Sequence, residues 1–194
     1  IVGKTGSGKS TIAQLISRMY DANSGLISID QKNIQHLNLN TLRDSIGCVP
    51  QEALLFSDTI ANNIAFGTHK KATKEEVEEA AKMADVHDNI TSFTDGYQTK
   101  VGERGVTLSG GQKQRISIAR SFIRKPKILV FDDCLSAVDI KTEDVILKHL
   151  KKMIKTCTSI IISHRISSIK QAEQIVMLDE GVIVESGTHQ QLLQ

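Results

Sequence analysis

Gly3-Lys4-Thr5-Gly6-Ser7-Gly8-Lys9-Ser10, followed by Thr11, fits the pattern G-x-x-x-x-G-K-[ST] in full. The chemistry accounts for the spacing. Glycines at Gly3, Gly6 and Gly8 permit turns that a Cβ would block, so successive backbone N–H groups can face phosphate oxygens. A helix starting near Lys9 adds the positive end of its dipole. Lys9 is expected to reach the β- and γ-phosphates, and the Ser10 hydroxyl to sit on Mg²⁺. Ile1-Val2 read as the end of a strand, and Ile12, Ala13, Leu15, Ile16 and Met19 give the next segment an apolar helical face. Strand, glycine loop and amphipathic helix form the context the motif requires. A chance glycine-rich turn would not need so complete a match. The implied ligand is a nucleoside triphosphate with Mg²⁺.

The bulk properties set bounds. A chain of 194 residues suits one domain and can bury a core. A net charge of +2 is too small to imply nucleic acid or an anionic membrane surface as partner. Cys48, Cys134 and Cys157 are odd in number and lack metal or redox spacing, which points to a reducing compartment and small buried hydrophobes. No apolar run approaches the ~20 residues that span a bilayer, and no signal peptide is visible. The chain starts inside the glycine-loop unit with almost none of its leading strand, so an excised or truncated segment is expected.

Along the chain, Tyr20 to Gly25 has turn chemistry, Leu26 to Asp30 alternates as a strand, and Asp30-Gln31-Lys32-Asn33 turns back. Ser45 to Val49 reads as a strand ended by Pro50. Gln51 then lies where open α/β sheets place ligand-binding groups. Residues 58–124 turn helical, including Lys74 to Ala84, whose glutamates mark a solvated face. The pattern is that of a helical insertion between halves of an α/β core. Ile128 to Phe131 is a buried parallel strand that delivers Asp132 and Asp133 at its tip, the first of them a candidate Mg²⁺ ligand. The next helix carries Val145, Ile146, His149, Leu150, Met153 and Ile154 on one face, His149 as a packed or partly exposed residue. Ser159 to Ile162 is another buried strand, ending at Ser163-His164. Gln174 to Leu178 and Val182 to Glu185 form a hairpin around Asp179-Glu180-Gly181.

Leu108-Ser109-Gly110-Gly111-Gln112 precedes a helix with Ile116, Ala119, Phe122 and Ile123 at helical spacing. A serine and two glycines at a helix N-terminus can bind an anion. They can equally be an N-cap on a loop, and the residues alone leave both readings open. A chain with one complete triphosphate site has no evident use for a second phosphate-binding helix end, unless it acts on nucleotide held by a neighbouring copy.

Gly3–Thr11, Gln51, Leu108–Gln112, Asp132, Ser136-Ala137-Val138-Asp139 and His164 occur in the order seen in ATP-binding cassette (ABC) ATPase domains, and the chain resembles that family from Gly3 to about Gln191. Leu55 to Ile60 with Asn63-Ile64-Ala65, Val101-Gly102-Glu103-Arg104-Gly105 and Gly187-Thr188-His189 resemble its exporter branch. The resemblance implies an α/β P-loop NTPase (RecA-like) core with a mainly parallel sheet and a truncated N-terminal β part. Residues 1–51 and 125–194 would form the core, and 52–124 a helical subdomain with the signature motif. It also implies ATP and Mg²⁺ as ligands and a position on the cytoplasmic side of a cell membrane. The partners would be a second ABC ATPase domain, identical or not, and transmembrane domains moved by an ATP-driven clamp.

Carried over by position, Gly3, Lys4, Thr5, Gly6, Ser7, Gly8, Lys9, Ser10 and Thr11 would bind phosphates, with Ser10, Gln51 and Asp132 around Mg²⁺. Gln51 would couple nucleotide to the helical insertion. Ser109, Gly110, Gly111 and Gln112 would face the partner's γ-phosphate. Asp139 would join the two sites across the interface, and His164 would hold the γ-phosphate or attacking water, the bland alternative being a core histidine after a strand. Two departures stand out. Asp133 occupies the position where the family usually has a water-polarising glutamate, and one methylene less predicts slow turnover, as in one subunit of asymmetric exporters. A homodimer that tolerates aspartate is the competing reading. The family carries an adenine-stacking aromatic upstream of the glycine loop, outside this sequence, and Tyr20 and Tyr97 are poorly placed substitutes, so binding weaker by ~1–3 kcal/mol is expected of this segment. A soluble ABC-type ATPase would show coiled-coil heptads or a second cassette, and a regulatory module without hydrolysis stays open through Asp133.

Overall fold

The computed structural model describes residues 1–66, 68, 70–102, 106–153 and 156–193. The sheet is built from β1 (Val2–Gly3), β4 (Ile46–Val49), β5 (Ile128–Asp132), β6 (Thr158–Ile162), β7 (Ile175–Asp179) and β8 (Val182–Gly187), while β2 (Ser28–Ile29) and β3 (Lys32–Asn33) form a separate hairpin. Strands β4, β5 and β6 run parallel in that order, and β1 runs parallel to β7, with β8 antiparallel at the edge. Two backbone bonds join the halves: Ile1 N donates to Ile161 O (2.6 Å) and Ser163 N to Ile1 O (3.2 Å). The carboxyl ends of β1, β4, β5 and β6 therefore share one edge. That edge is where ligands bind in open α/β sheets.

Helices cover both faces, and the burial pattern of β5 shows why. Leu129 and Phe131 point to one core with Ile116 and Ile146; Val130, one residue out of phase, points to the other with Ala13 and Leu42. The helices are α1 (Lys9–Ile16), α2 (Leu39–Asp44), α3 (Ile60–Ala65), α4 (Lys74–Met83), α5 (His87–Thr91), α6 (Gly110–Ile123), α7 (Ile140–Met153) and α8 (Ile166–Ile169). Helix α4 begins in a capping box, with Thr73 Oγ accepting from Glu76 N and Glu76 returning the bond. Helix α6 is buried round most of its circumference, at Gln114, Ile116, Ser117, Ile118, Ala119, Ser121 and Phe122. It packs on α3, α4 and β4.

Several expectations need correction. The strand predicted over Leu26–Asp30 shrinks to Ser28–Ile29, because Asp30 and Gln31 (φ 49° and 64°) make a two-residue loop and Lys32–Asn33 pair back as β3. Met19 leaves the apolar face of α1: the helix ends at Ile16, Arg18 turns left-handed (φ 49°), and Met19 is 62% exposed. Cys134 and Cys157 are buried, but Cys48 is exposed, on a strand that among the described residues pairs on one side only. Ile154 and Glu103-Arg104-Gly105 lie outside the described residues. His149 is half-buried, its Nδ1 3.1 Å from Met83 O.

Candidate functional site

Backbone chemistry shapes the glycine loop first. Gly3 has φ 149°, and a Cβ there would lie 2.2 Å from Leu178 O, so only glycine fits between β1 and β7. Gly8 takes φ 96° as the N-terminal flank of α1, which has no side-chain cap. Its leading N–H groups therefore remain available to an anion. The tip of the β7–β8 hairpin braces the loop, through Gly181 N to Ser7 O (3.2 Å) and a Lys4–Asp179 ion pair (3.5 Å).

Lys9 is buried, with Nζ donating to Gly3 O (2.8 Å) and Lys4 O (2.6 Å). The ammonium thus occupies the hollow of the loop. Ser10 Oγ donates to Asp132 Oδ1 at 2.9 Å, bringing together residues 122 positions apart. A hydroxyl and a carboxylate at that separation are hard oxygen donors of the kind Mg²⁺ takes, so the residues fit the ion. Lys4, Thr5 and Gly6 are exposed along the loop, and Thr11 is exposed on α1.

Asp133 follows with φ 47°, left-handed for a residue with a side chain. Its N–H donates to Ile162 O (2.9 Å), two residues before His164, and its carbonyl accepts from Ser136 N (3.3 Å) and Ser136 Oγ (2.7 Å). His164 is exposed just beyond β6. Gln51 is exposed just past β4, where Pro50 O accepts from Gln114 Nε2 of α6 (2.9 Å). These groups share the carboxyl edge with the glycine loop.

The signature stretch is built as a cap. Ser109 Oγ accepts from Gln112 N (3.2 Å), and Gln112 Oε1 accepts from Ser109 N (2.9 Å). That bond uses an oxygen lone pair, and among the described residues the hydroxyl proton and the N–H groups of Gly110 and Gly111 take no other partner, which suits an anion. Capping and anion binding are compatible at this tip. Among the described residues, no hydrogen bond or ion pair joins 108–112 to 3–11. Asp139 accepts from Thr142 N (3.1 Å) at the start of α7, and that backbone hydrogen bond is the largest cause holding its carboxyl below the ordinary value.

A further group escaped sequence reasoning. Glu143 is 0% exposed, and its carboxylate receives Arg165 Nη1 (2.6 Å), Ser167 Oγ (2.9 Å) and Ser168 Oγ. The one available signal was the arginine directly after His164. Burial favours the neutral acid, but hydrogen bonds from Ser168, Arg165 and Ser167 and the guanidinium charge outweigh it and hold the carboxyl below its ordinary 4.5. A lowered native value means the stabilisation is fully present above about pH 4.5 and fades as pH falls through that native value. Glu143→Gln should therefore flatten the acid limb of stability against pH, read as urea midpoints on both sides of pH 4.5. An acid limb as steep as the parent's would contradict the assignment.

The comparisons with known proteins agree with this geometry. A family model described as ABC transporter matches residues 1–136. The "ATP-binding cassette sub-family B member 6" of Xenopus tropicalis is 48% identical over 193 residues, covering 100% of this chain and 23% of that protein. A "putative multidrug export ATP-binding/permease protein" of Staphylococcus aureus is 50% identical over 192 residues, covering 99% of this chain and 33% of that protein. Among solved structures, a "bacterial Atm1-family ABC exporter with ATP bound" superposes with a TM-score of 0.94 at 46% identity, over 99% of this chain and 34% of that one. The chain thus spans between 23% and 34% of the length of these relatives. Among the described residues, no helix is long and apolar enough to cross a membrane.

Proposed function

The chain belongs to the ABC transporter family, and on that premise we propose that it is the ATP-binding and ATP-hydrolysing domain of an exporter. Two such domains close head to tail around Mg-ATP and move attached membrane domains, from the cytoplasmic side. The observation that carries this reading is the 2.9 Å approach of Ser10 Oγ to Asp132 Oδ1, beside a helix N-terminus with no side-chain cap.

The chain's own residues divide the work. Lys9 exchanges its carbonyl partners for β- and γ-phosphate oxygens, and the loop N–H groups hold the rest. Ser10, Asp132 and Gln51 would hold Mg²⁺, which when bound offsets the negative charge of the phosphates. Asp133 orients and polarises the attacking water, and His164 holds the γ-phosphate side of it. Ser109, Gly110 and Gly111 reach the neighbour's γ-phosphate, capped by Gln112, and Asp139 joins the two sites. Gln51 passes the state of the site to the helical part, residues 52–124, through the Pro50–Gln114 bond. A cavity of about 930 Å³ between α3, α4 and the Tyr97–Gln98 turn lies in that part and suits contact with a membrane domain.

Asp133 supports a second reading, in which this chain binds ATP and hydrolyses it slowly while its signature serves a competent partner. Asp132→Asn tests the site itself. It should weaken Mg-ATP binding while leaving metal-free ATP binding within about twofold, because one carboxylate charge at the ion is removed. Equal loss with and without Mg²⁺, measured by titration calorimetry, would contradict the assignment.

A further inference from the structure

Glu143 is a fully buried carboxylate, and such a group persists only when paired and hydrogen-bonded. Its partner Arg165 does more than neutralise it. Arg165 Nη1 also donates to Val138 O (3.0 Å) and Nη2 to Ser136 O (2.9 Å), so one guanidinium grips the turn between Asp133 and Asp139. Arg165 N donates to Ser163 Oγ (3.0 Å), which reaches Ser168 Oγ (3.3 Å). His164 is therefore flanked on both sides by residues locked into this network.

The network continues away from the nucleotide. Thr142 gives its N–H to Asp139 and its hydroxyl to Asp85 Oδ2 (3.1 Å). Asp85 ends the α4 segment in a left-handed turn (φ 53°), and its carbonyl accepts from Arg115 Nη1 of α6. Arg115 Nε lies 3.4 Å from Gly111 O in the signature's first turn. Gly111 also abuts the Asp133–Asp139 turn, since a Cβ there would lie 3.0 Å from Ala137 O. The chain of contacts runs from His164 through Arg165, Glu143, Thr142, Asp85 and Arg115 to Gly111.

We propose that Arg165, Glu143, Thr142, Asp85 and Arg115 are positioning residues that make His164, the Ser136–Asp139 turn and the Ser109–Gly111 tip move as one body. Triphosphate at this chain's own loop then sets the tip it offers to a neighbour. The proposal rests on the reading of both ends given under Proposed function. Guanidinium geometry makes it specific: lysine keeps the charge of Arg165 but cannot span two carbonyls and a carboxylate.

The test is amide hydrogen exchange on the full-length protein, with and without the β,γ-imido analogue of ATP and Mg²⁺. In the parent, nucleotide should protect the loop amides of 6–11 and, with them, those of 109–112 and 136–139. Thr142→Val, nearly isosteric and still able to give its N–H to Asp139, and Arg165→Lys should keep nucleotide affinity within about threefold. Each should cut the nucleotide-induced protection of 109–112 by about 3- to 30-fold, and the double variant by less than the product of the two. A merely structural role would lower thermal stability and leave that nucleotide response intact. Parent-like protection of 109–112 in both single variants, or losses that multiply, would overturn the bracket while leaving the site reading standing. No protection of 6–11 in the parent would overturn the nucleotide reading, and the bracket with it.

Discussion

Lys9→Met is expected to lower ATP hydrolysis by about 10²–10³-fold, the scale of losing one preorganised charge at the transferring phosphoryl group. The side chain is buried in the loop with its ammonium 2.8 Å and 2.6 Å from the carbonyls of Gly3 and Lys4. Methionine matches the length of the stem and removes the ammonium with its charge and its donors. The same change removes two hydrogen bonds, at a cost of about 1 kcal/mol of stability each, while Lys4 O keeps the Ser7 N–H (3.2 Å). That is too small to unfold a domain of this size, so rate and urea midpoint separate the two effects. Lys9→Arg should not rescue the rate, because a planar guanidinium does not fit a hollow shaped for a point charge. A variant retaining more than about a tenth of the parent rate would contradict the role, being far from the loss such a charge implies.

Asp133→Glu is expected to raise the rate of a single turnover by about 10²-fold, the scale associated with repairing a misplacement of ~1 Å. Aspartate could compensate for its short stem only if its backbone advanced, and the structure forbids that. Its N–H is fixed to Ile162 O at 2.9 Å, and its carbonyl is fixed by the N–H (3.3 Å) and hydroxyl (2.7 Å) of Ser136. Aspartate tolerates the left-handed φ of 47° better than glutamate, so the urea midpoint of the variant is read beside its rate to separate backbone strain from reach. Single-turnover conditions matter because product release then does not mask the chemical step. An unchanged rate would remove the case for a weakened site and favour a pair of equal domains.

The sequence made the catalytic edge readable where chemistry is local. The glycine loop, the β5 tip at Asp132 and Asp133, and the β7–β8 hairpin each declare themselves within a few residues, through φ-permissive glycines or an apolar run ending in carboxylates. Ser109 is readable as a cap or an anion site; the structure shows the cap, in a geometry compatible with an anion. Pairings between distant elements were not readable. Glu143 and Arg165 are 22 residues apart, one in the first turn of α7 and the other in the extended link before α8, and a charged residue in the first turn of a helix gives no sign that it will be buried. The Asp85–Thr142 bond spans 57 positions and depends on how α4 packs on α7. Met19 falls off the face that periodicity assigns it because the left-handed turn at Arg18 has no glycine to announce it. Periodicity continues past such a break on paper, and the chain does not.

The central claim is that the serine-glycine tip of one molecule completes the triphosphate site of another. Disulfide trapping tests it directly, in a Cys48→Ser background because that thiol is exposed. Thr5→Cys and Ser109→Cys place thiols on two exposed positions, one in the loop and one at the cap. With Mg-ATP, crosslinked dimers should form rapidly between position 5 of one chain and position 109 of the other, and without nucleotide they should not. Crosslinking that ignores ATP, or none under any condition, would contradict the shared site.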